Sequence, residues 1–247
     1  MTELVDLHCH VHPGVDDGPP DEAECVALLR ALAAAGVSRL AATSHVRPDH
    51  GWMNTVDTEP ERAQRLERIR ADAGVAIDVV RGAEHYWHEV VLGDLDRFAS
   101  LAVPYGSSRW VLIEAPYLGL PPQLPERLFG LHRRGFRVLL AHVERFSYLE
   151  GDRPLLERLH QMGVRFQVNL GSLSGGHGRP QQKAAERMLK TGLVSVLAGD
   201  CHRAVDVDAY VVRGLAAARR LLDEATVRRL CVQAPSAILD DALAEQV

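Results

Sequence analysis

Residues 5–18 read V-D-L-H-C-H-V-H-P-G-V-D-D-G, in which three histidines and two aspartates fall within the ten residues 8–17, behind a short apolar run. The histidines alternate: His8, His10 and His12 are separated by Cys9 and Val11 and follow Leu4 and Val5. Side chains of a β-strand repeat every two residues, so this spacing predicts three imidazoles on one face. A solvated His-rich tail has no reason to alternate. The stretch predicts a first strand with ligand-type side chains at its C-terminal end, followed by a loop, G-V-D-D-G, that carries more.

The same rhythm continues outward. Short apolar runs (VDLH, SRLAATSH, IDVVRGAE, RWVLIEAPY, RVLLAH, VRFQVNL and VSVLAGD) are separated by helical patterns such as DEAECVALLRALAAAG, a stretch near 58–73, LPERLFGLHRRG, PLLERLHQMG and PQQKAAERMLKTG. Gly36, Gly74, Gly135, Gly163 and Gly192 stand where helix C-termini favour glycine. Nearly continuous apolar strands alternating with helices predict parallel β-structure covered by helices, with about seven strands. The rhythm is unbroken over 1–247, which predicts a single domain. A (β/α) barrel is preferred to an open sheet, although periodicity alone does not separate the two. The Gly-rich 171–178 segment falls where a strand-to-helix loop belongs, near the pocket.

Composition narrows the function classes. A net charge of −5 and a pI of about 6.2 disfavour non-specific nucleic-acid binding, which needs a basic face. MTELVD lacks the basic and apolar regions of a signal peptide, and no apolar run is long enough to span a bilayer. The four cysteines show no C-x-x-C spacing and no phosphatase-type C-x5-R. No P-loop signature appears. A reduced, cytoplasmic protein is expected.

Each expected strand carries chemistry at its C-terminal end: His8 and His10, then His45, Glu84, Glu114, His142, Asn169, and Asp200 with His202. Parallel barrels assemble active sites at that face. So many ionisable groups buried together need counter-charge, and metal ions are the simplest source. Imidazole and carboxylate without thiolate suit Mn²⁺, Fe²⁺ or Zn²⁺. Cys9 and Cys201, between ligands, are expected to face the strand–helix interface as small hydrophobes.

D-L-H-C-H, G-V-D-D-G, A-T-S-H, G-A-E, L-I-E, A-H-V-E-R and A-G-D-C-H, in that order, resemble the PHP (polymerase and histidinol phosphatase) superfamily. Within it the chain looks most like the bacterial metal-dependent protein tyrosine phosphatases found with capsule and exopolysaccharide genes, down to a C-terminal helix ending APSAIL. The resemblance implies a distorted (β/α)7 barrel holding three divalent metal ions, with Mn²⁺ ahead of Fe²⁺ or Zn²⁺. It implies His8, His10, Glu84 and Asp200 at the first ion, Glu84, Glu114 and His142 at the second, and Asp17, His45 and His202 at the third. Arg145 matches the arginine that grips phosphoryl oxygens, and the implied catalytic residues are Arg145, Asp17 and His45. Asp16 ranks behind Asp17 as a ligand, and His12, without a family counterpart, is read as a loop hydrogen-bonding residue. The implied reaction is phosphotyrosine hydrolysis by a metal-bridging hydroxide, with a phosphotyrosine protein such as a bacterial tyrosine kinase as partner.

One position departs from the family pattern. A second phosphate-binding arginine is expected a few residues past D-x-H, where this chain has Val207; Arg203 or Arg47 are the candidates to replace it. The departure keeps two alternatives open: a small phosphomonoester such as histidinol phosphate as substrate, or a non-catalytic metal-binding regulatory module. Of the remaining histidines, His132 and His160 are read as helix-surface residues, and His85, His88 and His177 as candidates for the pocket mouth.

Overall fold

The computed structural model of the protein describes residues 3–87, 94–149, 151–243, 245 and 247. Its strands are β1 (Leu4–Cys9), β2 (Val37–Ala42), β3 (His45–Arg47), β4 (Trp52–Met53), β5 (Asp78–Arg81), β6 (Glu84–Tyr86), β7 (Trp110–Glu114), β8 (Arg137–Leu140), β9 (Arg165–Asn169) and β10 (Val194–Ala198). They form a three-stranded sheet, β1-β2-β5, and a seven-stranded sheet, β10-β9-β8-β7-β6-β3-β4. Every neighbouring pair is parallel except β3 and β4, which form a short antiparallel hairpin that the sequence pattern did not predict.

Two expected strands are each broken in two. SRLAATSH becomes β2 and β3, interrupted at Thr43 and Ser44; IDVVRGAE becomes β5 and β6, interrupted at Gly82 and Ala83. The physical cause is local. Thr43 Oγ1 accepts a hydrogen bond from Cys9 N at 2.9 Å, so a side chain enters the β1–β2 ladder. At Gly82 a Cβ would lie 3.1 Å from the Tyr105 ring and 3.3 Å from the Thr43 methyl group, a close approach that suits glycine. Past the break, Glu84 N donates to Thr43 O, which hands the chain to the larger sheet.

The two sheets also meet along β1 and the end of β10. Asp200 N donates to His8 O at 2.8 Å, and His10 N donates to Cys201 O at 3.0 Å. Buried Asp6 ties the same seam, its Oδ1 accepting from both His8 N and Gly199 N.

The residues of β1 and of β7 to β10 are buried on both faces, as parallel strands covered by helices require. In β7, Trp110 and Leu112 join an inner cluster with Val5, Leu7, Leu139 and Val196, whereas Val111 and Ile113 join an outer one with the helices. Helix Glu22–Ala34 contributes buried Leu28, Leu29 and Leu32 and is capped by Asp21, whose side chain accepts from Glu24 N. The five predicted helix-ending glycines all adopt positive φ. All four cysteines are free and buried; Cys9 and Cys201 pack in the outer cluster, away from the ligand face, as expected. Among the described residues no helix is long and apolar enough to cross a membrane.

Candidate metal centre

The strand ends bring their ligand-type side chains to one place. His8 Nε2 lies 3.2 Å from His10 Nε2, from Glu84 Oε2 and from Asp200 Oδ1. Glu84 is central: its Oε2 also approaches His10 Nε2 at 3.3 Å and His45 Nδ1 at 3.1 Å, and its Oε1 lies 2.9 Å from His142 Nε2. Glu114 Oε1 lies 3.8 Å from His142 Nε2. Half-exposed Asp17 closes the open side, with Oδ1 3.3 Å from His202 Nε2 and 3.8 Å from both His45 Nε2 and His10 Nδ1. All of these groups but the fully buried His8 and His10 floor a cavity of about 330 Å³ whose wall adds Arg47, His50, Trp52, Tyr117 and Arg145.

A second layer of hydrogen bonds orients the imidazoles. Gln167 Oε1 accepts from His142 N at 2.8 Å, so it is an acceptor facing His8 Nδ1 at 3.2 Å. In the neutral ring, that puts the His8 proton on Nδ1 and turns the Nε2 lone pair into the cluster. Asp16 does the same for His10: its Oδ2 lies 2.8 Å from His10 Nδ1 and also accepts from His45 N at 2.8 Å. Gln167 Nε2 then donates to Asn169 Oδ1, and Asn169 Nδ2 donates to Asp200 Oδ2 at 2.7 Å.

Electrostatics separates the imidazoles. Burial pushes His8 down, but Asp200 and Glu84 outweigh it and hold it up at about 9. Burial dominates at His45 and pushes it down to about 4. Burial opposes ionisation of Glu84, yet His8 and His45 keep it well below the usual carboxylate range; Glu114, desolvated and facing Glu84, is raised. The residues present fit a cation site on the chemistry of the donors, which are imidazole nitrogens and carboxylate oxygens alone. They fit it also on unsatisfied atoms: His45 Nδ1 and Glu114 Oε2, which face the cluster, are buried without a hydrogen-bond partner among the described residues. Such groups are costly to bury unpaired, and a cation compensates them.

Every strand-end residue singled out in the sequence lies in this cluster or is hydrogen-bonded to it. Three histidines behave differently from the reading above. β1 ends at Cys9, so the alternation is broken before His12, whose two nitrogens are buried without a hydrogen-bond partner among the described residues and whose pKa burial pushes down to about 4. It is not the hydrogen-bonding loop residue expected. His85 is fully buried and accepts from Val103 N, and His177 packs on Tyr210 with ring centroids 4.5 Å apart; neither lines the cavity. His88 lies outside the described residues. His50, by contrast, does line the cavity. Sequence reasoning missed Gln167 and the positioning role of Asp16. The signal for Gln167 was present, a polar residue inside the apolar strand R-F-Q-V-N. It missed Tyr117 too, whose hydroxyl donates to Glu114 Oε1 at 2.5 Å.

Known proteins resemble the chain along nearly its whole length. It is 27% identical to the tyrosine-protein phosphatase CpsB of Streptococcus pneumoniae, over 97% of this chain and 100% of that protein. It is also 27% identical to the tyrosine-protein phosphatase YwqE of Bacillus subtilis, over 81% of this chain and 77% of the relative. Crystallography has described YwqE and CpsB as metal-dependent tyrosine phosphatases, and this fold superposes on that work with a TM-score of 0.86 at 22% identity, covering 97% of this chain and 95% of the other. A family model described as capsular polysaccharide synthesis, CpsB/CapC, matches residues 4–240, so the chain belongs to the CpsB/CapC family.

Proposed function

We propose that this protein is a metal-dependent phosphomonoesterase that hydrolyses phosphotyrosine in proteins. One observation carries the reading: overlapping His–carboxylate clusters that share Glu84 floor an open cavity whose wall presents Arg145. His8, His10, Glu84 and Asp200 would hold one ion, Glu84, Glu114 and His142 a second, and Asp17, His45 and His202 a third. When bound, divalent ions, Mn²⁺ foremost, would polarise phosphoryl oxygens and acidify a water toward neutral pH. The chain's own residues do the rest. Arg145, lining the cavity with its guanidinium 3.9 Å from Asp200 Oδ2, would grip the phosphoryl oxygens through charge-assisted hydrogen bonds. Asp17 and His45, at the open side, would orient the attacking water. Trp52 and Tyr117 offer aromatic walls to an aryl group. A phenoxide leaving group, of pKa about 10, depends less on a general acid than an alkoxide does.

On the same reading the two sheets close as one distorted (β/α)7 barrel within a single domain, its staves β1, β2–β3, β5–β6, β7, β8, β9 and β10. The hydrogen bonds from Asp200 to His8 and from His10 to Cys201 support that closure. Four free thiols support a reducing, cytoplasmic setting. The proposed partner is a phosphotyrosine protein, a bacterial tyrosine kinase among the candidates.

The test is phosphate release from a phosphotyrosine peptide by Mn²⁺-loaded protein, beside an EDTA-treated sample and a parallel assay on histidinol phosphate. Chelator-sensitive turnover of the peptide is the expected result. Turnover of histidinol phosphate alone would reassign the substrate, and metal binding without turnover of either would make the protein a binding module.

A further inference from the structure

Two arginines line the cavity, and they are held in the same way. The Arg145 guanidinium carbon sits 4.5 Å from the centroid of the Tyr117 ring, with Nη1 3.9 Å from Asp200 Oδ2. The Arg47 guanidinium carbon sits 4.0 Å from the centroid of the Tyr86 ring, with Nη1 3.8 Å from Glu114 Oε2. Those carboxylate distances are beyond hydrogen-bond reach. Arg47 Nε, 3.5 Å from Asp49 Oδ1, is buried without a hydrogen-bond partner among the described residues. Each guanidinium is therefore fixed by an aromatic face and by the field of a carboxylate that belongs to the cation cluster, while its N–H fork makes no hydrogen bond among the described residues. A planar fork of N–H donors matches two oxygens of a phosphoryl group. Arg203 is differently placed: it donates to Asp17 O at 3.4 Å and does not line the cavity.

We propose that Arg47 is a second phosphate-gripping residue, sharing the terminal oxygens of the bound phosphoryl group with Arg145. It takes over the function for which the chain has no arginine at position 207. The proposal rests on the phosphomonoester reading of this cavity, and its test is built so that the two can fail separately. Arg47 reaches the site from β3, and the hairpin of β3 and β4 also carries Trp52, stacked on His45 with ring centroids 5.2 Å apart. One short hairpin would thus supply both an anion grip and an aromatic wall.

The experiment is calorimetric titration of Mn²⁺-loaded wild type, Arg47→Ala, Arg47→Lys and Arg203→Ala with inorganic phosphate, with metal content measured in each. Hydrolysis of p-nitrophenyl phosphate is followed in parallel. Arg47→Ala is expected to weaken phosphate binding about 10- to 100-fold with metal content unchanged, as loss of a charged hydrogen-bonding partner implies. Arg47→Lys should recover only part of it, since an ammonium is a point charge without the fork. Arg203→Ala should stay within about twofold of wild type. Phosphate binding by Arg47→Ala within about twofold of wild type would overturn the proposal, as would transfer of the loss to Arg203→Ala. Loss of metal from both Arg47 variants would overturn it too, because Arg47 would then act through Glu114. A wild type that binds phosphate but turns over no monoester would sink the phosphatase reading while leaving the Arg47 comparison decisive.

Discussion

His142 and Asp200 carry the cost of the site in their backbones. Both are non-glycine residues in the left-handed region, with φ of 30° and 54°, two residues past the ends of β8 and β10. That conformation costs about 1–2 kcal/mol per residue, and its placement at two candidate ligands fits strain held where function needs a particular side-chain direction. Replacing His142 with Ala should reduce phosphotyrosine hydrolysis to background with Mn²⁺ supplied, while the melting temperature moves by less than about 4 °C. Near-native turnover in that variant would remove His142 from the site. Asp16 makes a different prediction, because it holds His10 and the backbone of His45 without facing the cavity. Loss of such an orienting carboxylate costs about 10- to 100-fold in metal affinity. Asp16→Asn is therefore expected to lose Mn²⁺ to a competing chelator at correspondingly lower chelator concentration, and an unchanged competition curve would contradict the role.

At the scale of elements, β9 and the β1–β10 seam position the centre. β9 contributes a relay: Gln167 and Asn169, two residues apart on one face, connect His8, His142 and Asp200 from three other strands or strand ends. The seam depends on tight packing at Gly199, where an added Cβ would lie 2.5 Å from Asp6 Oδ2 and 3.1 Å from a Val211 methyl group. Asp6 cannot retreat without giving up the hydrogen bonds from His8 N and Gly199 N. Gly199→Ala should cost about 2 kcal/mol by overpacking, which lowers the melting temperature by about 4–8 °C in a chain of this size. Thermal denaturation checks it; an unchanged midpoint would mean that the seam yields more easily than its hydrogen bonds suggest.

For the whole molecule, bound cations would set the cavity's field against that of the chain. The protein carries a net charge of −5, yet its cavity has two arginines and a floor suited to cations. Bound ions would be the largest local charges and would set the sign of the pocket for an anionic substrate. Ions that bind only the folded state also stabilise it. At a free Mn²⁺ concentration one hundred times the dissociation constant the gain is about 2.7 kcal/mol, or about 5–11 °C in melting temperature. EDTA treatment should reverse that shift, and identical melting of treated and Mn²⁺-loaded protein would deny the cluster a metal.

Much of the architecture was legible in the sequence because it is written in local periodicity. Apolar runs alternating with amphipathic helices specify parallel strands covered by helices, and a ligand at the end of each run specifies which sheet edge carries the chemistry. The breaks at Thr43 and Gly82 were not legible, since they arise from contacts with Cys9 and Tyr105, far away in sequence. The different parts played by Asp16 and Asp17 were hidden for the same reason: neighbours in the chain, one turns to His10 and His45 N while the other faces the open cavity. His12 shares the period of His8 and His10 but not their environment, because the strand ends before it. By itself the sequence determined the order of the elements and the stock of ligands. The tertiary structure alone decided which of them face one another, because periodicity says which face a side chain takes and only long-range packing says what stands opposite.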